Sequence, residues 1–399
     1  MKALMFRNSL ARQAVTKIGS YARNEAFVGP LAPIRLEDVP EPEPPGPGWV
    51  VCDTVVSGLC GSDTKQIFLD GARDNPITAL ISFPHVLGHE AVARRRDTGR
   101  RVVLNPWLSC VPRGITPVCE ACEQGLHPHC RNFLRGLLPP SIHLGNCAGA
   151  VGAHAEAFAA HEHQLFPVPD DMSDDAAVLS DPAGVSLHSL LLAPPSPRRP
   201  ALVYGCGTLG LAAIALLRML WPDVEVWAVA KTRASQELAR KFGAAEVLTC
   251  EPDELVARVA ELMRVPVLHP WSKRDWLQDG PGVVYDMVGS PETIETAMRL
   301  ADTRGSIVVA GVEPPGRFEW TPLYFKELHV IGSNAFGVEE LGGVRKHAFE
   351  HYFDLVQRGL DLTPLITHRF PLDRWNDAVM AVANREETGS IKVLLEPTA

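Results

Sequence analysis

The stretch Ala201-Leu-Val-Tyr-Gly-Cys-Gly-Thr-Leu-Gly210, which continues into the apolar segment 211–220, places three glycines between a strand-like and a helix-like sequence. In that context the glycines allow a tight turn, and the backbone amides at the helix start can approach a pyrophosphate. A glycine triplet alone is weak support, and its position between two such elements makes it informative. The residues expected to contact a dinucleotide are Gly205, Gly207, Thr208, Leu209 and Gly210.

The sequence after this turn alternates between apolar strands and helices. Strands are predicted at 224–229, 282–286, 305–310 and 328–331, and helices at 235–242 and 291–300. This alternation is typical of an α/β fold with a doubly wound parallel sheet. A proline-rich turn at 193–200 precedes the first strand and marks a domain boundary.

The residues after the second strand of this sheet indicate its cofactor. An NAD-selective site usually has a carboxylate about 20 residues beyond the glycine turn, where it bonds the ribose hydroxyls and repels a 2′-phosphate. This chain has Ala230 there, followed by Lys231 and Arg233. Two cations without a carboxylate favour NADP, because arginine can bind phosphate oxygens through two hydrogen bonds. The alternative is that both are solvated surface charges and that the site also accepts NAD.

The first part of the chain has a different composition. Glu41-Pro-Glu-Pro-Pro-Gly-Pro-Gly48 cannot continue a helix or a sheet, and Trp49-Val-Val-Cys-Asp-Thr-Val-Val56 resembles a strand. Short strands separated by proline and glycine predict a β-rich domain with long functional loops.

Two groups of metal-binding residue types lie in this first part. Cys60, His89 and Asp181 offer a thiolate, an imidazole and a carboxylate at wide spacing, which suits a catalytic zinc with one open position. Four cysteines within one loop can instead close a tetrahedral shell, which indicates a structural zinc. These four are Cys110, Cys119, Cys122 and Cys130.

Several motifs, taken in order, resemble the zinc-dependent alcohol dehydrogenases of the medium-chain dehydrogenase/reductase superfamily, in particular their polyol, glucose and threonine dehydrogenase branch. They are Cys60-Gly-Ser-Asp63, Gly88-His-Glu90, the four-cysteine loop, the glycine turn and Gly389-Ser-Ile-Lys392. The resemblance implies a GroES-like catalytic domain at 1–182, a Rossmann NAD(P)-binding domain at 183–334, and a return segment at 335–399 that completes the catalytic domain. This chain departs from the family in a longer loop between Cys110 and Cys119 and in an aspartate at position 181.

The resemblance also implies roles for individual residues around the catalytic zinc. Ser62 matches the hydroxyl that bonds the substrate oxygen and begins a proton relay, and Asp63 matches a residue that orients a zinc ligand. Lys65 stands where a relay histidine is common, and an ammonium there can instead orient the cofactor ribose. Asp181 matches the third zinc ligand, for which Glu90 is the alternative.

The resemblance assigns Lys392 a position near the cofactor pyrophosphate. Other polar residues are interpreted as bystanders or as hydrogen-bonded packing residues; they are His85, His127, His129, His154 and His188. The ordinary interpretation of Ser62 and Asp63 is simple turn chemistry, since both residue types often bond their own backbone.

Composition sets limits that do not depend on any family. The chain has 399 residues with a net charge of -9, so it offers no basic excess for a nucleic-acid backbone. No apolar run approaches the roughly 20 residues that span a bilayer, and a cytoplasmic location is the default expectation. Nine cysteines, four of them in one loop, suit metal thiolates better than a disulfide scaffold.

These observations predict a hydride-transfer enzyme that contains two zinc ions and uses NADP on a secondary alcohol, polyol or sugar, or on the corresponding carbonyl. A non-catalytic zinc- and nucleotide-binding protein of the same fold is the competing class. A zinc-independent reductase is a further alternative. The family resemblance implies a homodimer or homotetramer, assembled through edge strands of the nucleotide-binding domain.

Overall fold

The chain forms two compact units in a computed structural model that describes residues 1–71, 75–271 and 274–397. Unit 1 contains Met1–Asp181, Phe349–Val356 and the segment from Ile366 onward. Unit 2 contains Pro182–Ala348 and Gln357–Leu365. Among the described residues, no helix combines the length and apolar character that a membrane crossing needs.

The strands, in chain order, are β1 Lys2–Phe6, β2 Ile34–Asp38, β3 Trp49–Leu59, β4 His85–Val86, β5 Glu90–Arg95, β6 Arg101–Leu104, β7 Ala157–His161, β8 Leu165–Pro167, β9 Ala201–Tyr204, β10 Val226–Val229, β11 Glu246–Leu248, β12 Val283–Asp286, β13 Ser306–Val309, β14 His329–Gly332, β15 Val338–Leu341, β16 Val344–His347, β17 Ile366–Pro371 and β18 Lys392–Glu396.

The α-helices are α1 Leu10–Ser20, α2 Gly61–Ile67, α3 Glu120–Glu123, α4 Asp174–Val178, α5 Ser180–Leu192, α6 Thr208–Leu220, α7 Arg233–Lys241, α8 Pro252–Met263, α9 Pro291–Leu300, α10 Thr321–Phe325, α11 Ala348–Gln357, α12 Trp375–Ala383 and α13 Arg385–Thr388.

Unit 1 is organised around the long strand β3, which pairs antiparallel with β5, β7 and β18. Apolar side chains from these strands and the neighbouring loops form a common core; among its buried members are Trp49, Cys52, Ala91, Val102, Leu104 and Phe158. Gly58 on β3 lies opposite Glu90 on β5. The residue just past β3 and the residue just before β5 therefore lie at the same edge of the sheet, and these are Cys60 and His89.

Unit 2 contains a parallel sheet in the order β11-β10-β9-β12-β13-β14. Helices α6 to α9 alternate with its strands, and the core consists of apolar residues from both, including Leu202, Trp227, Leu255, Val284, Met298 and Ile307. This arrangement confirms the predicted doubly wound fold. Thr232 accepts a hydrogen bond from the Ser235 amide and so fixes the start of α7.

The return of the chain to unit 1 begins later than the sequence predicts. Residues 335–348 belong to unit 2, because the β15–β16 hairpin and the residues before it pack on α5. Glu339 bonds His188 at 2.8 Å, and the Ser333 hydroxyl lies 2.9 Å from that of Ser189. The ring of Phe336 lies so close to Gly184 that a Cβ atom there would approach it to 3.1 Å.

Candidate active site

Three metal-binding side chains converge at the edge of the unit 1 sheet. The ligand atoms of Cys60, His89 and Glu90 all lie within 4.8 Å of one another, and both His89 and Glu90 are buried. The antiparallel register of β3 and β5 brings them together, although Cys60 and His89 are far apart in sequence. A thiolate, an imidazole and a carboxylate at this spacing fit a zinc ion.

Asp63 contacts two residues of this cluster, Cys60 and His89. Its Oδ2 atom accepts a hydrogen bond from the Cys60 amide at 3.0 Å, and its Oδ1 atom lies 3.4 Å from His89 Nδ1. The second contact leaves His89 Nε2 for a metal, as expected for a carboxylate that orients a metal-binding histidine. Burial alone would raise the pKa of Asp63, but the neighbouring His89 and His154 hold that pKa well below its usual range.

The same surroundings make the position of His89 attractive to a cation. Burial alone would lower the pKa of His89, but Asp63 and Cys60 beside it raise that pKa well above its ordinary value. Ser62 lies on the first turn of α2, and its Oγ atom is 3.4 Å from His89 Nε2. The serine hydroxyl therefore lies next to the ring nitrogen that is available to a metal.

Lys392 lies in this cluster, and its predicted position near the cofactor pyrophosphate stays a prediction. Its ammonium forms an ion pair with Glu90 inside unit 1, and both side chains are only 2% exposed. Gly58 leaves room for this pair, because a Cβ atom there would lie 2.5 Å from Glu90 Oε2 and 2.7 Å from Lys392 Cε. Burial alone would lower the pKa of Lys392, but Glu90 raises it.

The structure bears on the choice between Asp181 and Glu90 as the third ligand. Asp181 is buried, yet among the described residues it is not part of the group whose ligand atoms lie within 4.8 Å of one another. Burial, reinforced by Glu90, raises the pKa of Asp181 to about 7. Glu90 is thus closer to Cys60 and His89, and direct ligation by Asp181 stays a prediction.

His143 lies against the cluster, and no prediction from the sequence includes it. Its ring centroid is 4.7 Å from that of His89, and the ring of Trp107 meets it edge-on at 5.7 Å. His143 Nδ1 lies 2.5 Å from the Leu144 carbonyl oxygen, to which it donates. Burial, with His89 nearby, lowers the pKa of His143 to about 3, so this ring is neutral. No sequence motif marks it, because its partners are a backbone carbonyl and a ring far along the chain.

The four cysteines of the loop form the second metal-binding group. Their sulfur atoms lie within 4.8 Å of one another, and Cys110 Sγ is 3.6 Å from Cys130 Sγ. Zinc bonded tetrahedrally to thiolates at about 2.3 Å separates the sulfurs by roughly 3.8 Å, so the cluster fits this metal. Backbone amides of Cys119, Arg131 and Asn132 donate to the sulfurs at 3.3 to 3.4 Å. His127 and His129 do not belong to the group.

Arg113 lies between Cys110 and Cys119 and bonds the backbone on both sides of the four-cysteine loop. The side chain is fully buried and donates to five carbonyl oxygens at 2.7 to 3.0 Å; these belong to Leu108, Arg135, Leu138, Pro139 and Ser141. A guanidinium has five N–H donors in a fixed plane, so one side chain can satisfy carbonyls that otherwise have no sheet or helix partner. No sequence motif predicts this role, because the partners of Arg113 are backbone atoms.

We expect Arg113→Met to destabilise unit 1 by about 3 to 5 kcal/mol, since it leaves buried carbonyls without donors. Chemical unfolding of the zinc-loaded protein measures this loss. Arg131→Met is the matched control, because the Arg131 side chain lies in the same loop and is 69% exposed. Equal stability of the two variants would contradict the role assigned to Arg113.

The glycine turn of unit 2 has the geometry that its sequence predicts. Gly205 adopts φ +92°, and Gly207 precedes the first residue of α6. Gly210 packs on the backbone of Gly205, where a Cβ atom would come within 2.0 Å of the carbonyl oxygen. The turn therefore needs glycine at both positions, and the amides of Thr208 and Leu209 begin the helix as a pyrophosphate site requires.

Lys231 and Arg233 follow the end of β10 and are both exposed. The Arg233 side chain is 92% exposed and pairs with Glu237 at 2.8 Å. Exposed pairs of this kind contribute at most about 1 kcal/mol, so a phosphate can compete for the guanidinium. Ala230 is buried and supplies no carboxylate.

Two family models match the chain. One is described as an alcohol dehydrogenase GroES-like domain and matches residues 46–170; the other is described as a zinc-binding dehydrogenase and matches residues 208–357. The L-threonine 3-dehydrogenase of Chromobacterium violaceum is 26% identical over 373 residues, which cover 91% of this chain and 96% of that protein.

Solved structures resemble the whole chain. A 2R,3R-butanediol dehydrogenase from Bacillus subtilis has a TM-score of 0.72 at 22% identity and covers 100% of this chain and 99% of its own. A zinc-binding dehydrogenase from Sinorhizobium meliloti, bound to NADP, has a TM-score of 0.69 at 25% identity. The match covers 91% of this chain and 96% of that protein's chain. Both domains, in their order along the chain, are accounted for by these matches. The chain belongs to the zinc-dependent alcohol dehydrogenases of the medium-chain dehydrogenase/reductase superfamily.

Proposed function

We propose that this protein holds two zinc ions per chain and transfers a hydride between a secondary alcohol and NADP, reversibly with the corresponding carbonyl. The observation that carries the proposal is the cluster of Cys60, His89 and Glu90 with the Ser62 hydroxyl 3.4 Å from His89 Nε2. Zinc in such a cluster stabilises negative charge on the reacting oxygen, and NADP accepts the hydride.

The side chains of unit 1 have distinct tasks in this proposal. Cys60 and His89 hold the metal, with Glu90 or Asp181 as the third ligand, and Asp63 keeps His89 in the orientation that presents Nε2. The exposed Ser62 hydroxyl would take up the proton of the substrate hydroxyl as it passes its own proton to solvent water. Lys65 lies one turn farther along α2, and we assign it to the cofactor ribose, since an ammonium has no free site for a proton.

The names of two similar proteins support a proposal for the substrate class. L-Threonine and 2,3-butanediol, which appear in the names of two of them, are both secondary alcohols with a heteroatom on the adjacent carbon. We therefore favour a vicinal diol, amino alcohol or polyol over a simple primary alcohol. Nicotinamide absorbance with the zinc-loaded protein, recorded across these classes with NADP and NAD, tests this choice. Faster turnover of simple primary alcohols would contradict it.

The preference for NADP rests on the two cations after β10 and on the absence of a carboxylate from residues 230–236. We expect Arg233→Ser to lower kcat/KM for NADP by about 10- to 100-fold, because a charge-assisted hydrogen bond to phosphate is worth about 1.5 to 3 kcal/mol. The value for NAD should change less than twofold. Arg240→Ser, in the same helix, is the control. An equal loss with both cofactors would show that Arg233 does not read the 2′-phosphate.

We further propose that the protein is a homo-oligomer assembled through β14. This strand is at the edge of the unit 2 sheet, and among the described strands none pairs with its outer side. Val330 on β14 is 41% exposed, and the segment before it exposes Trp320, Tyr324 and Phe325. An unpaired edge beside exposed aromatic residues is a template for pairing with a second copy.

Val330→Lys should convert the oligomer to smaller species, because a charged side chain disfavours edge-to-edge pairing. Light scattering coupled to size-exclusion chromatography gives the mass directly and also separates dimer from tetramer. Val344→Lys is the control, since Val344 is also exposed but lies in the β15–β16 hairpin. An unchanged mass in the Val330 variant would place the interface elsewhere.

A further inference from the structure

The carboxylate of Asp63 faces two imidazoles and not one. His89 Nδ1 lies 3.4 Å from Oδ1, and His154 Nε2 lies 3.4 Å from Oδ2 on the opposite side. Asp63 is 1% exposed and His154 is fully buried. Within the described residues, Asp63 Oδ1, His89 Nδ1 and His154 Nε2 form no hydrogen bond, so the two 3.4 Å separations are electrostatic contacts between buried polar atoms. His154 thus contacts Asp63 on the side away from His89, the proposed zinc ligand.

The contacts of the Ser57 hydroxyl indicate which ring nitrogen of His154 carries a hydrogen. The Ser57 hydroxyl lies 2.9 Å from His154 Nδ1 and 3.4 Å from the Leu395 carbonyl oxygen, and it has one proton to donate. Donation along the shorter contact makes Nδ1 an acceptor. The other ring nitrogen, Nε2, then carries a hydrogen and lies 3.4 Å from Asp63 Oδ2. The order Ser57, His154, Asp63, His89 therefore runs from the sheet core to the metal cluster.

The backbone holds His154 in place. Its amide donates to the Leu87 carbonyl at 2.9 Å, and its own carbonyl accepts from the Leu4 amide at 2.8 Å. Gly88, which directly precedes His89, has φ +95°, and a Cβ atom there would lie 2.6 Å from His154 Cγ. The ring of His154 therefore packs against the backbone that carries the zinc ligand, and this close approach requires glycine at position 88.

We propose that His154 is a positioning residue for the catalytic metal centre: it fixes the Asp63 carboxylate from behind, so that Asp63 holds His89 with Nε2 toward the metal. The proposal rests on the proposed function in so far as Cys60 and His89 bind zinc. Groups that bond a metal ligand from outside usually change metal affinity by about 10- to 100-fold when they are removed. We expect that effect from loss of the His154 donor, without any change in the ligands themselves.

The test compares His154→Leu, which removes the donor, with His154→Gln, which retains an N–H group of similar reach. Metal release to a chelator and the absorption spectrum of the cobalt-substituted protein are the readouts, and neither depends on turnover. We expect His154→Leu to weaken metal binding at the Cys60 cluster about 10- to 100-fold and to shift the cobalt absorption bands. His154→Gln should have most of the wild-type metal affinity and band positions. The four-cysteine site in the same molecule is the internal reference and should not change.

His85→Leu separates positioning from general destabilisation. His85 is a buried histidine of the same unit, but its ring nitrogens lie 2.9 Å from the Ser82 carbonyl and from Gln66 Oε1, away from the Asp63 oxygens. If His85→Leu alters metal release as much as His154→Leu does, or if His154→Leu keeps the affinity and spectrum within twofold of the wild type, the proposal is overturned. Ser57→Ala is expected to give a smaller effect in the same direction and can be used if His154→Leu does not fold.

The outcomes also separate this proposal from the proposed function. A wild-type protein that binds metal at Cys60 but oxidises none of the alcohols would contradict the proposed function, while the effect of His154 on metal binding would still be measured. A wild-type protein that binds no metal at Cys60 would overturn both.

Discussion

The Cys60→Ser variant is expected to lose at least about 10³-fold in kcat/KM, because a catalytic metal supplies several kcal/mol of charge stabilisation in the transition state. A serine hydroxyl is a far poorer zinc ligand than a thiolate, so the metal content should fall from about two to about one zinc per chain. Metal analysis and nicotinamide absorbance on the same preparation give both numbers.

Two further variants make this result specific. Cys250→Ser changes a half-buried cysteine of unit 2 and should keep both the activity and the metal content. Cys119→Ser should also lose one zinc, this time from the four-cysteine site, together with stability. Activity that survives in Cys60→Ser would identify a zinc-independent reductase. One zinc in the wild-type protein, lost only on mutation of the four-cysteine loop, would indicate a non-catalytic protein.

The Lys392→Met variant is expected to lower the free energy of unfolding of the metal-free protein by about 3 to 5 kcal/mol, since it leaves the buried carboxylate of Glu90 without its counter-ion. Zinc should offset part of this loss, because the cation supplies positive charge beside the same carboxylate. Chemical unfolding with and without zinc measures both quantities. Lys241→Met is the control, because Lys241 is exposed on α7.

A double-mutant cycle tests whether the loss comes from this pair. Removing both charges, in Lys392→Met with Glu90→Gln, should be less destabilising than the sum of the single variants, because no unpaired charge stays buried. Additive losses would show that Lys392 and Glu90 contribute independently to stability. That result would contradict the role assigned to the ion pair between them.

The parts of the molecule that the sequence predicts well are those encoded within a few residues. The glycine turn, the parallel sheet of unit 2 and the four-cysteine group each depend on local spacing, and the structure shows each of them. Cys60 and Asp63 also share one turn, so the contact between the Cys60 amide and the Asp63 carboxylate follows from their separation.

The parts that the sequence did not predict depend on pairs that are remote along the chain. Lys392 lies 302 residues from Glu90, and only the pairing of β18 with β3 brings it beside the metal cluster. His154 is 91 residues after Asp63 and belongs to no motif. Arg113 bonds carbonyl oxygens, which every residue has, so no residue type in the sequence could indicate its partners.

The insertion of unit 2 between two segments of unit 1 has a consequence for synthesis on the ribosome. β3 and β5 emerge early, but β18, which pairs with β3, and Lys392, which neutralises Glu90, emerge only after all of unit 2. A nascent chain can thus complete its nucleotide-binding domain while the metal cluster is still open and Glu90 has no counter-ion. Zinc or a chaperone that reaches the nascent chain during this interval meets Cys60 and His89 before the sheet has closed around them.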